Sequence, residues 1–194
     1  MTRVLHSAAV RGGACALEAL EQGFAHFLAQ WPDAIPRDAR VLRLSVREGC
    51  TNAFRHGSNR AGDEGRIEME LLHDDAGESP GLRLEITDQG PGVSVDGAPP
   101  PYPDSLAGSE FMLRRVLDQR VVARVVSPWR IELRGEETPC AAASVQREDL
   151  LGQLHGGGYG ILMLCRCWSR VSFTLEPGRG NVLRLAGMCA NLDC

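Results

Sequence analysis

The chain has 194 residues, 43% of them apolar and 24% charged, which suits one soluble domain with decorations better than two full domains. Its formal net charge of −4 gives no electrostatic ground for a nucleic-acid or acidic-membrane partner. All 21 side chains counted as lysine or arginine are arginine, so no lysine can act as a P-loop phosphate ligand.

The seven cysteines are an odd set, and Met1 to Val10 lacks the charged start and long apolar core of a secretory signal. Both features argue against a disulfide framework and suit a reduced, cytoplasmic setting. Metal binding through thiols is not expected. There is no Cys-x-x-Cys pair, and Cys165 and Cys167 stand two apart on a predicted helix, pointing to different faces. No run has the length of a membrane-spanning helix.

Val4 to Val10 reads as a short first strand, broken by Gly12-Gly13. Ala14 to Trp31 reads as a helix, because Leu17, Leu20, Phe24, Phe27 and Leu28 recur at helical spacing. Pro32 and Pro36 mark a loop, Asp38 is a cap for a second helix running to about Arg55 or His56, and Gly57 to Gly65 closes it. Ile67 to Leu72 and Leu82 to Ile86 are predicted strands around a polar turn. Asp96 to Pro103 holds four prolines and cannot be regular helix or inner strand. Ser109 to Gln119 is expected as a short helix. Val121 to Val126 and Trp129 to Leu133 have strand character, Gly135 to Ser144 is loop-like, and Leu150 to Gly160 is rich in glycine. Ile161 to Trp168 reads as a helix. Val171 to Leu175 and Asn181 to Leu185 read as a closing hairpin. The order implies an α+β fold: a two-layer sandwich with helices over one face of the sheet.

Three stretches carry chemistry. Glu48, Asn52 and His56 are spaced four apart on the second helix and share a face. A carboxylate there can take a proton, and an amide oxygen can hold a divalent cation already bound by phosphates. Alone, such a stripe is as well explained by solvation. Asp88-Gln89-Gly90-Pro91-Gly92 follows a strand. The aspartate can accept a hydrogen bond from an exocyclic amine, and the glycines let backbone approach a flat ligand. Asp-x-Gly turns are common, so this motif alone is weak. Gly156-Gly157-Gly158-Tyr159-Gly160 precedes a helix and can offer backbone N–H groups to phosphate oxygens. It lacks the Gly-Lys-Ser/Thr of a Walker loop and the βαβ unit of a dinucleotide fingerprint.

In this order and placement, Glu48-x-x-x-Asn52, Asp88-x-Gly90-x-Gly92 and Gly158-x-Gly160 resemble the N-box and the two glycine boxes of the GHKL ATPases. Gly180 to Leu185 resembles the final strand of that fold. The subgroup most similar is the bacterial anti-sigma-factor serine kinases. The resemblance covers about residues 1–95 and 150–188, and it implies one domain over 1–194 with a long insertion or lid at about 93–155. It implies the Bergerat fold, with a mixed, mostly antiparallel sheet. It also implies ATP and Mg²⁺ as ligands: Asn52 on the metal, Asp88 on adenine, Gly90 and Gly92 shaping that pocket, and Gly158, Tyr159 and Gly160 bordering the phosphates. Glu48 would be the general base of a serine kinase. The implied partners are a STAS-domain anti-anti-sigma protein, a sigma factor or other regulator, and a second copy of the chain. A non-catalytic ATP-dependent binding module and a detached histidine-kinase catalytic domain are the alternatives. A gyrase-like role would need a lysine on the γ-phosphate, which this chain lacks.

Overall fold

A computed structural model of the chain describes residues 1–11, 14–30, 39–57, 65–75, 81–116, 119–137 and 159–188. Three helices are described: α1 (Ala14–Gln30), α2 (Ala39–Asn52) and α3 (Tyr159–Cys167). The strands are β1 (Thr2–Arg11), β2 (Arg66–Asp74), β3 (Gly81–Asp88), β4 (Glu110–Val116), β5 (Gln119–Ser127), β6 (Arg130–Glu137), β7 (Trp168–Glu176) and β8 (Gly180–Met188). They form one sheet in the order β1-β2-β3-β8-β7-β6-β5-β4. Every ladder is antiparallel, where a mixed sheet is expected from the resemblance. The predicted cap Asp38, the Gly12-Gly13 break, the Pro32–Pro36 loop and residues 138–158, with Gly156, Gly157 and Gly158, lie outside the described residues.

Alternation builds the sheet's inner face. Ile67, Met69 and Leu71 of β2 are buried, as are Leu84 and Ile86 of β3 and Leu183 and Leu185 of β8. Phe173 pairs with Leu183 and with Ile131, so the same face continues through β7 into β6. The helices cover this face. On α1, Leu20, Phe24 and Leu28 are buried; on α2, Leu42, Val46 and Cys50 are buried, a helical stripe in each case, and Ala53 just beyond α2 is buried with them. Gly49 is required where α2 crosses β3, because a Cβ there would overlap Ile86 and crowd Leu183. A buried hydrogen bond from Trp168 Nε1 to Ser45 Oγ, 2.8 Å, ties α2 to the start of β7. Burial pushes the Cys50 thiol up to about 12, so it stays protonated and inert.

The outer face carries ion pairs instead. Glu85 is only 6% exposed, and its charge is met by Arg184 Nε at 2.9 Å, Arg179 at 3.1 Å and Arg83 at 3.3 Å. A charge so buried is tolerated only because it is paired on several sides.

Three further expectations change, and the first is the loop-like reading from Gly135: residues 135–137 are the end of β6, paired with β5. Ser109 to Gln119 is not a helix: residues 110–116 are β4, the edge strand, paired with β5. Helix-forming residues such as Glu110, Met112, Leu113 and Arg114 are overruled there by ladder pairing and by the packing of Phe111 and Leu113 on the core. Trp168 opens β7 rather than ending the last helix. The first part of the insertion, up to Glu137, thus adds β4, β5 and β6 to the sheet beyond β7. The proline-rich stretch is loop as expected, held by the buried Tyr102, whose OH donates to Val93 O at 2.6 Å. No helix among the described residues is long and apolar enough to cross a membrane.

Candidate functional site

A cavity of about 520 Å³ opens between the end of α2, the β3 exit loop and the inner face of the sheet. Asn52, Asp88, Gly90 and Gly92 all line it, so two of the three sequence motifs meet in one place. His56 lines it too.

The geometry around Asp88 is set by what is missing from its neighbours. Regular helix in α2 ends at Asn52 and widens into a π-turn over Ala53–Gly57. Such widened turns shift the following residues off the helical track and recur at functional sites. Here the turn brings Gly57 against the Asp88 carboxylate, where any Cβ would overlap it. A Cβ on Gly90 would stand 2.7 Å from Asp88 Oδ1 and 2.7 Å from Gly57 Cα. Gly92 has φ +82°, which favours glycine, and a Cβ there would meet Pro100 Cγ at 2.7 Å.

Asp88 Oδ1 accepts the Gly90 N–H at 2.7 Å, and Oδ2 accepts the Asn181 amide at 3.0 Å. Burial raises the Asp88 pKa, against the lowering effects of those two bonds and of nearby His56. The carboxylate is therefore a strong acceptor held in a place that disfavours its charge. Asn181 turns its other amide atom, Oδ1, into a buried position without a partner among the described residues, and the same is true of Asn52 Nδ2. Both residues line the cavity. Buried polar atoms without partners are rare in folded proteins, and a cavity wall is where a ligand supplies the missing bond. The donors and acceptors thus fit a ligand bearing an amine at Asp88 and Asn181 and an acceptor at Asn52.

Glu48 stands one turn before Asn52 but is not part of the cavity lining. Its carboxylate abuts Gly160, where a Cβ would overlap Glu48 Oε2. The start of α3 therefore sits directly on the Glu48 side chain, and the next residue, Ile161, reaches the cavity. Tyr159 is 52% exposed and outside the lining. Gly158 lies outside the described residues. Of the predicted phosphate loop, only the Gly160 end is placed, and it is placed beside Glu48.

Asn181, Leu113 and Arg114 are among the contributors that sequence reasoning missed. Asn181 belongs to a strand that reads as closing structure, and only its polarity amid Val182, Leu183 and Leu185 sets it apart. Leu113 and Arg114 lie in the segment expected to be helical, which hid which face each would present.

The charges along this cleft are graded: a buried acid on the floor, then Arg55 and Arg114 exposed toward solvent. That gradient suits a flat amine-bearing base with an anionic tail, and together with the helix-covered antiparallel sheet it defines a nucleotide-binding α+β sandwich. The family model described as the histidine kinase-like ATPase domain matches residues 14–186. The chain belongs to that family, the GHKL ATPases, and is an ATP-binding domain. A comparison with curated proteins finds no match.

Proposed function

We propose that this chain is a protein serine kinase of the anti-sigma-factor type, which transfers the γ-phosphate of ATP to a serine on a STAS-domain antagonist. The observation that supports transfer is the position of Glu48, one helical turn from Asn52 and in contact with Gly160. In this reading Asp88 and Asn181 hold the adenine amine, and Asn52 would turn its amide oxygen to Mg²⁺ while its partnerless amide N–H donates to the nucleotide. Mg²⁺, when bound, neutralises phosphate charge as the phosphoryl group moves. Glu48 takes the proton of the serine hydroxyl while that oxygen bonds to the γ-phosphorus and the bond to the ADP oxygen breaks. The phosphoserine's added charge then weakens the complex with the antagonist, which frees the chain for a sigma factor or another regulator. A second copy of the chain and a cytoplasmic setting belong to the same proposal.

The test is transfer of labelled γ-phosphate to a STAS-domain protein encoded beside this chain. Transfer by the wild type, lost in Glu48→Gln with ATP binding kept, supports the kinase. ATP binding and complex formation without transfer would instead support a nucleotide-dependent binding module.

A further inference from the structure

The strands inserted between the Asp88 motif and the glycine-rich stretch do more than widen the sheet. The β4–β5 ladder pairs Met112 with Val122, then skips a residue and pairs Arg114 with Val121. This is a β-bulge. In a regular strand, neighbours alternate between faces, so Leu113 facing inward would leave Arg114 facing outward. A bulge places an extra residue in one strand and re-aims the side chains beside it. Here both Leu113 and Arg114 line the ATP cavity. Arg115, the next residue, does not.

Arg114 thus brings positive charge into a cleft whose floor holds the buried acid Asp88. Among the described residues the other arginine lining the cavity is Arg55, in the turn after α2. Because the chain contains no lysine, a permanently charged phosphate ligand from a side chain has to be arginine. A guanidinium suits the task, since its fork of donors can bind two phosphate oxygens at once.

We propose that Arg114 binds the polyphosphate tail of the nucleotide, so that the added sheet supplies a phosphate ligand to the ATP site. The inference rests on the ATP reading of the cavity. It assigns the insertion a part in the site itself.

The experiment is calorimetric titration of the whole chain with ATP, ADP and adenosine in the presence of Mg²⁺. The proteins are wild type, Arg114→Met, Arg114→Lys and, as control, Arg115→Met. A charged hydrogen bond to phosphate corresponds to roughly a 10- to 100-fold change in affinity. Arg114→Met should weaken ATP by that factor and leave adenosine within about twofold, with Arg114→Lys in between and Arg115→Met near wild type. Equal losses for ATP and adenosine would overturn the proposal, because they mean that Arg114 shapes the cavity rather than binding phosphate. Unchanged ATP affinity in Arg114→Met, with tight binding by the wild type, would also overturn it and leave the ATP reading intact. A wild type that binds neither ATP nor adenosine would overturn both.

Discussion

Replacing Asp88 with asparagine separates what the residue does for the ligand from what it does to the fold. The carboxylate is 6% exposed and receives two hydrogen bonds, from Gly90 N–H and from the Asn181 amide. Asparagine keeps the acceptor for Gly90. Its new amide group would oppose the Asn181 amide, but a half-turn of Asn181 brings the partnerless Oδ1 of that residue onto it. Both bonds are then retained as neutral ones. What is lost is the charge-assisted part of each, about 1 kcal/mol per bond, and what is removed is a desolvated charge of similar or larger cost. The folded chain should change by no more than about 1 kcal/mol and in the stabilising direction at neutral pH. For a domain of this size that is a Tm rise of roughly 0–4 °C.

The pH dependence gives the sign independently. Burial raises the Asp88 pKa in the folded chain above the roughly 3.9 of an unfolded aspartate. The folded chain therefore holds that proton more tightly than the unfolded chain. Ionised Asp88 costs stability above its folded pKa, and the cost vanishes below the unfolded value. The Tm advantage of Asp88→Asn should be widest near pH 7.5 and shrink as pH falls toward about 4. ATP binding should move the other way. In the proposed reading a donor would face the adenine amine in place of a charged acceptor, a loss of about 1.5–3 kcal/mol, or roughly 10- to 150-fold in Kd. Scanning calorimetry of the ligand-free proteins at several pH values, with titration calorimetry for ATP, reads both. A variant that melts well below wild type at pH 7.5, or binds ATP equally well, would refute this account of Asp88.

Two further substitutions probe other links. Gly160→Ala adds a methyl group that overlaps the Glu48 carboxylate, yet the obstacle is the end of a flexible side chain and alanine is the better helix former. Its Tm should be equal to wild type or higher while phosphoryl transfer falls at least tenfold; unchanged transfer would show that the position of Glu48 is not critical. His6 stacks on Phe27 at 4.7 Å, and burial lowers its pKa below the usual value of about 6.5. The unfolded chain then binds the proton more readily, so His6 costs stability as pH falls through and below about 6.5. His6→Phe should lose less Tm than wild type between pH 7.5 and 5.5, and parallel curves would count against the assignment.

The parts legible in the sequence are those whose physics is local. The apolar stripe from Leu17 to Leu28 and the alternation in Ile67 to Leu71 place α1 and β2 within a few residues. The glycines around Asp88 announce close packing because no other residue fits them, and the structure gives each a neighbour that a Cβ would strike. What was hidden depends on partners distant in the chain. A widened turn after Asn52, a bulge after Met112 and the pairing of β4 with β5 have no period of their own. Residues 110–116 have good helix formers, and only the neighbouring strand makes them β.

That difference bears on how the site works. The Asp88 motif and the N-box belong to elements that pack directly on each other, β3 against α2 and the turn that follows it. The far wall of the cavity is different, since Leu113, Val121 and Leu133 all come from the inserted strands. Loosening β4 would open the cleft on that side while leaving Asp88 and Asn52 where they are. The two walls of the cavity, Asp88 with Asn52 on one side and the inserted strands on the other, are therefore housed in separate parts of the sheet. Among the described strands β4 stands at the edge with a single neighbour, so it is the part of the wall least constrained by pairing.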